Sequence, residues 1–121
     1  MPPMQIAIKR VYEAASSDNG VRILVDRLWP RGLSKDRAKI ELWLREVAPS
    51  NELRRWFNHE PEKWDEFRRR YFSELTEKDG AVRSVWNQAS CSKVPLLFAA
   101  KDAIRNTAVA LREHLIQSRR S

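Results

Sequence analysis

The chain has 121 residues, 42% of them hydrophobic and 32% charged, with only 3 glycines. That fits one domain with one core, leaves little room for a second or a dedicated cofactor domain, and argues against a disordered chain. A net charge of +7 favours anionic partners (nucleic acid, nucleotides, phosphorylated metabolites or an acidic protein), although a basic surface also serves solubility alone.

The first residues lack the basic and apolar regions of a signal peptide, and no apolar run approaches membrane-spanning length. Cys91 is the only cysteine, so no intrachain disulfide can form, which fits a reducing compartment. A cytoplasmic protein without membrane contact is expected.

Residues 5–12 are β-rich and partly alternating, which predicts a strand. Asp18, Asn19 and Gly20 form a strong turn signal. Residues 21–28 predict a second strand, with Val21, Ile23 and Val25 on one face and Leu24 on the other. The intervening loop is too short for a parallel crossover, so these two strands are expected to pair antiparallel. Pro30 and Gly32 end the second strand, and Ser34 can cap a short helix over 35–38. Residues 40–47 mix strand and helix spacing and are read as a short strand, stopped by Pro49.

Ser50 can cap a helix bearing Leu53, Trp56 and Phe57. Pro61 suits the first turn of the next helix, which runs to about Thr76 with Trp64, Phe67, Tyr71, Phe72 and Leu75 on its apolar face. Asp65 with Arg69, and Glu66 with Arg70, are spaced to pair across one turn. A further helix carries Val82, Val85, Trp86 and Ala89. The apolar run 94–100 fits a central strand with Pro95 at its start. Asp102 or a near neighbour then starts the last helix, with Ile104, Ala108, Leu111 and Leu115 as its stripe. The expectation is a single α/β domain over 1–121: a mixed sheet of three to four strands with helices packed on it, and frayed ends at 1–4 and 118–121.

If the second and last strands are parallel, their C-terminal ends share one sheet edge, where open α/β sheets bind ligands. That edge would gather Asp26, Arg27, Trp29, Arg31 and Gly32 from one loop, and Lys101, Asp102 and Asn106 from the other. The N-terminus of the last helix would add N–H groups suited to an anion. Arg27 and Arg31 can each grip a phosphate or carboxylate with a planar fork. Asp26 is either a general base or the counter-ion of an arginine, and Trp29 equally suits core packing. His59, on a loop between aromatic helices, is the best proton-transfer candidate, with helix capping as its bland alternative. His114 reads as structural. Arg54-Arg55 and Arg68-Arg69-Arg70 read as solvated helix faces. Two histidines and one cysteine give no spaced metal-ligand set, and no Walker loop, Gly-x-Gly-x-x-Gly or Gly-x-Ser-x-Gly occurs. No metal and no cofactor are expected.

Several stretches together resemble a known family. They are Lys9-Arg10-Val11-Tyr12, the run from Val25 through Asp26-Arg27-Leu28-Trp29-Pro30-Arg31-Gly32 to Ser34, Val47-Ala48-Pro49-Ser50, Trp56-Phe57 with His59 and Pro61, and Leu96-Leu97-Phe98-Ala99-Ala100-Lys101-Asp102 with Asn106 and Ala108. The chain resembles the YeaO-like proteins, short members of domain-of-unknown-function family 488. The resemblance implies a compact α/β domain in a prokaryotic cytosol, and Arg10, in its first motif, joins the ligand-binding candidates. Longer relatives carry a cysteine on the late strand. Phe98, Ala99 and Ala100 stand there in this chain, so cysteine chemistry is not carried over.

The functional expectation is binding of an anionic small molecule (phosphate, a nucleotide or a phosphorylated metabolite) at the turn 26–32, with possible proton transfer by Asp26 or His59. The alternatives are a nucleic-acid-binding or regulatory accessory module, and a basic face for an acidic protein.

Overall fold

The computed structural model describes residues 6–13 and 20–118. The frayed ends expected at 1–4 and 118–121 lie outside these residues, apart from Ser118, and so does the expected turn before Gly20. The strands are β1 (Ile6–Arg10), β2 (Ile23–Leu24), β3 (Leu42–Trp43) and β4 (Val94–Phe98). The helices are α1 (Lys35–Ala38), α2 (Asn51–Phe57), α3 (Trp64–Thr76), α4 (Asp79–Cys91) and α5 (Thr107–Ser118). Short 3-10 turns at Arg45–Val47 and Pro61–Lys63 precede α2 and α3.

One sheet of order β1-β4-β2-β3 runs through the domain, and every pairing in it is parallel. The α/β architecture and the central place of the Val94 strand are as the sequence predicts. The antiparallel pairing of the first two strands, and with it the mixed character of the sheet, is not. β4 sits between β1 and β2. Both strands are shorter than the hydrophobic runs that contain them, so residues 11–22 connect them. That is about the dozen residues a parallel connection needs.

Alternation on the short strands splits the core in two. Ile23 and Val25 join Val94, Leu96 and Phe98 on the face packed by the helices. Leu24 and Leu97 face the other way, with Val11, beneath Trp29, Leu33, Ile40 and Trp43. Both sheet faces are therefore covered, as parallel sheets require. α5 lies on β1 and β4, with the Arg112 guanidinium donating to the Ile6 carbonyl at 2.8 Å.

Local signals set most boundaries. Ser34 Oγ accepts the Arg37 N–H at 3.2 Å, and Ser50 Oγ accepts the Leu53 N–H at 3.1 Å. Both are N-caps. Ser50 is itself held by Glu74, which accepts its N–H at 2.8 Å and its hydroxyl at 2.6 Å. α5 starts later than its composition suggests. Asp102 turns the chain instead, its Oδ1 accepting the N–H groups of Ile104 and Arg105 at 2.9 and 3.0 Å. Asn106 is the cap, accepting the Val109 N–H at 3.0 Å. Ile104 thus falls in that turn, 68% exposed, rather than on the helix stripe, which keeps Ala108, Leu111 and Leu115. On α3, Glu66 takes both Arg69 and Arg70, while Asp65 pairs with Arg68 rather than Arg69.

Candidate functional site

Because all four strands are parallel, their C-terminal ends open on one sheet edge. A cleft of about 370 Å³ lies there, near the lower end of the roughly 300–1,000 Å³ typical of small-molecule sites. Its wall takes Tyr12 from beyond β1, Asp26 to Arg31 from beyond β2, Ala48 and Pro49 from beyond β3, and Ala99 and Ala100 from beyond β4. Arg54, Phe57 and His59 come from α2 and the turn after it, Phe67 from α3, and Arg105, Asn106 and Thr107 from the start of α5.

The segment 47–49 forms one side. A buried loop must satisfy its backbone carbonyls, and here three side chains do so in succession. Tyr71 donates its hydroxyl to the Val47 carbonyl, Lys78 donates to Ala48 at 3.1 Å, and Arg27 donates through Nε and Nη2 to Pro49 at 3.3 and 3.2 Å. Arg27 thus ties the β2 loop to this wall and is itself a lining residue of the cleft. Burial holds the Tyr71 hydroxyl well above its ordinary pKa, with the Glu74 and Asp26 charges adding to the effect, so it stays a donor.

Asp26 is pinned at both ends. Its backbone carbonyl accepts the Trp43 indole N–H at 2.7 Å, and its Oδ2 accepts the Ala99 N–H at 2.9 Å. Burial raises its pKa to about 6, against the lowering effects of the Ala99 bond and the Arg54 charge. Among the described residues it makes no close ion pair with Arg27 or Arg31, the partners its place in the sequence offers. Trp29 serves packing first. Its indole N–H donates to the Leu33 carbonyl at 2.8 Å and its ring meets Trp43 edge-on at 5.4 Å, while one side borders the cleft.

Of the residues singled out from sequence, Asp26, His59, Arg27, Trp29, Arg31 and Asn106 meet on this cleft, whereas Arg10, Gly32, Lys101 and Asp102 do not line it. Gly32 holds a left-handed backbone with φ +71° and open space around it, so it makes the turn rather than room for a ligand. Asp102 shapes the turn before α5, its pKa lowered by the bonds from Ile104, then Arg105. Asn106 spends its side chain on capping and on the Asp102 carbonyl, to which its Nδ2 donates at 2.9 Å. Arg10 lies beside the Tyr12 ring instead, 6.0 Å from its centre, and Lys101 is exposed. His59 stands at φ 55° directly after Asn58 at φ 47°, two left-handed residues in succession. His114 lies against the Phe72 ring at 5.4 Å, and burial lowers its pKa.

Arg54, Arg105 and Thr107 are among the cleft residues that sequence alone did not mark as site residues. Arg54 belonged to an apparent solvated face, yet it precedes the buried Phe57 by three positions and therefore shares its side of α2. Arg105 directly precedes the α5 cap and pairs with Asp102 at 3.2 Å. Thr107 opens α5. Among the described residues the wall carries four arginines (Arg27, Arg31, Arg54 and Arg105) and one carboxylate, Asp26, together with the apolar Phe57, Phe67, Ala48 and Pro49. Phe57 and Phe67 stack at 4.5 Å. Tyr12 and Leu28, 47% and 59% exposed, stand among the cleft's lining residues. Among the described residues no group of three metal-ligating side chains occurs, and no helix is long and apolar enough to cross a membrane.

Residues 5–121 match a family described as "Inactive DUF488-N3 subclade". An uncharacterized protein of Mycobacterium tuberculosis (strain H37Rv) is 39% identical over 111 residues, 92% of this chain and 93% of that protein. The uncharacterized protein YeaO of Escherichia coli K12 is 38% identical over 112 residues, 93% of this chain and 97% of its own length. No solved structure matches the chain. On the family match and on relatives that align over nearly their whole length, the chain belongs to the DUF488 family, in the subclade described as inactive.

Proposed function

We propose that this cleft binds an anionic small molecule of the phosphate, nucleotide or phosphorylated-metabolite class, in a cytoplasmic protein. The observation that carries the reading is that four arginines and the start of α5 line one concavity with, among the described residues, a single carboxylate. Arginine forks match phosphate and carboxylate oxygens, and a helix N-terminus adds unpaired N–H donors. The aromatic and aliphatic lining suits the uncharged body of the same ligand.

Binding without turnover is the simpler form of this function. The exit of β4 carries Ala99 and Ala100, and the subclade's description reads "inactive". In a catalytic form, Asp26 and His59 are the wall groups able to take or give a proton. Calorimetric titration with pyrophosphate tests the reading. Affinity that falls at least tenfold in Arg54→Ala and in Arg105→Ala supports it, and heat independent of these residues removes it.

A second reading is single-stranded nucleic acid, favoured by the +7 net charge and by the exposed Tyr12 ring on the cleft wall beside Arg10 and Arg31, on which a base can stack. Its mark is affinity for an oligonucleotide that falls steeply with salt and depends on Tyr12.

A further inference from the structure

We propose that the ligand of this cleft has two chemically different ends: an anionic group for the arginines, and adjacent hydrogen-bond donors for the Asp26 carboxylate, such as the diol of a ribose or the N–H edge of a nucleobase. This rests on the anion-binding reading and narrows it.

Among the described residues Asp26 is the one acidic side chain on the wall. A cleft built for a bare anion is weakened by it, since a carboxylate repels an anion among the same groups that attract it. Neither Arg27 nor Arg105 pairs with it, and only the Arg54 charge partly offsets its own. Arg27 donates to the Pro49 carbonyl and Arg105 to Asp102. Its structural task is to accept the Ala99 N–H through Oδ2, which an uncharged amide oxygen would do equally well. The second oxygen has no hydrogen-bond partner among the described residues, and the residue borders the cleft. Burial makes its charge costly, with a pKa near 6. At neutral pH the cleft therefore holds a costly acceptor facing whatever enters. Carboxylate oxygens keep further lone pairs after one bond, so two neighbouring donors can be met at once, and a bond to a charged acceptor is among the stronger ones. The flat surface of Phe57, Phe67 and Pro49 lies on the same cleft for the body between the two ends.

The charged and titratable groups around Asp26 are Arg27 and Arg31 on its own loop, Arg54 and His59 on α2 and the turn after it, Arg105 before α5, Tyr12 beyond β1, and Tyr71 of α3. A pH effect alone would mix these. Asp26→Asn separates them, because it removes one charge, keeps an oxygen for Ala99 and leaves every other group in place.

The test compares three probes by calorimetry, on the unaltered chain and on Asp26→Asn, at pH 5 and 7.5. Pyrophosphate is the bare anion, ribose 5-phosphate adds a diol, and 2′,3′-dideoxyguanosine 5′-monophosphate adds a base edge without the diol. At pH 7.5 the substitution should tighten pyrophosphate and weaken the donor-bearing probe that fits roughly tenfold or more. Which of the two responds identifies the donor. On the unaltered chain, lowering the pH should move pyrophosphate and that probe in opposite senses relative to Asp26→Asn. If pyrophosphate binds through Arg54 and Arg105 but the substitution shifts all probes alike, shifts none, or neither donor probe binds, this inference is overturned and the anion-binding reading stands. If no probe binds through those arginines, both fall.

Discussion

Asp26→Asn should stabilise the protein at neutral pH and do nothing to its stability in acid. The buried carboxyl has a folded-state pKa of about 6 against an ordinary 3.8. A folded pKa above the unfolded one means that the native state holds the proton more tightly. The folded state therefore gains from Asp26 below about 4, loses that advantage progressively as pH rises to about 6, and carries the full cost of the charge above it. The gap of about two pH units corresponds to about 3 kcal/mol. Asparagine keeps an acceptor for the Ala99 N–H and removes the charge, but it brings an N–H₂ group of its own to the cleft wall. Its gain at pH 7.5 should therefore be roughly 1–3 kcal/mol. The assay is urea unfolding of both proteins from pH 4 to 7.5. Other carboxylates, such as Glu66 with its pKa lowered to about 2 by bonds from Arg69, then Arg70, affect both proteins equally and cancel in the difference. An Asn variant less stable at pH 7.5, or a difference that does not change with pH, would refute the reasoning. A residue that costs stability on a cleft wall is what a retained binding group looks like.

Other substitutions separate backbone geometry, buried polarity and binding. Gly32→Ala should cost about 1–2 kcal/mol through its φ of +71° alone, since nothing lies within 4 Å of the added carbon. Gly20→Ala should cost clearly more, because its Cβ would sit 2.2 Å from the Lys93 carbonyl oxygen at the entry to β4; paired thermal melts rank the two, and equal losses would contradict this. Tyr71→Phe strips the buried Val47 carbonyl of its donor and should destabilise by about 1–3 kcal/mol without an added pH dependence near neutrality, as urea titrations would show. Arg54→Ala, on an exposed helix position, should change stability by less than about 0.5 kcal/mol while lowering anion affinity, so a large loss of stability would place its role in the fold.

Much of the fold was legible because short-range chemistry fixes it. Ser34 and Ser50 cap where their hydroxyls suggest, Pro61 opens the turn before α3, and the unbroken run at Val94 becomes the central strand. Strand partners were not legible, since β1 and β2 meet through β4, far away in sequence, and a hydrophobic run extends past the regular strand where its flanking residues are held against the sheet by single backbone bonds. Val21 and Val25 illustrate this. They flank β2, and each donates its N–H across to the β4 side, to Lys93 and Leu97 respectively. The site was legible where one turn carries it, at Asp26, Arg27 and Arg31. It was illegible where it depends on how α2 leans, which brings in Arg54, and on where α5 begins, since the turn held by Asp102 and the cap at Asn106 delay the helix and bring Arg105 and Thr107 to the cleft. Asp26 shows both limits. Its presence at the strand end was evident, while its partner, the Ala99 amide, lies 73 positions away.

The central claim is that the arginine-lined cleft takes an anion. Calorimetric titration of pyrophosphate into the unaltered chain and into the Arg54→Ala, Arg105→Ala double variant tests it most directly. One site per chain is expected, weakened by at least a hundredfold when both guanidinium groups are removed, with the variant still folded by circular dichroism. Equal affinity for both proteins, or no saturable binding to the unaltered chain, would contradict it.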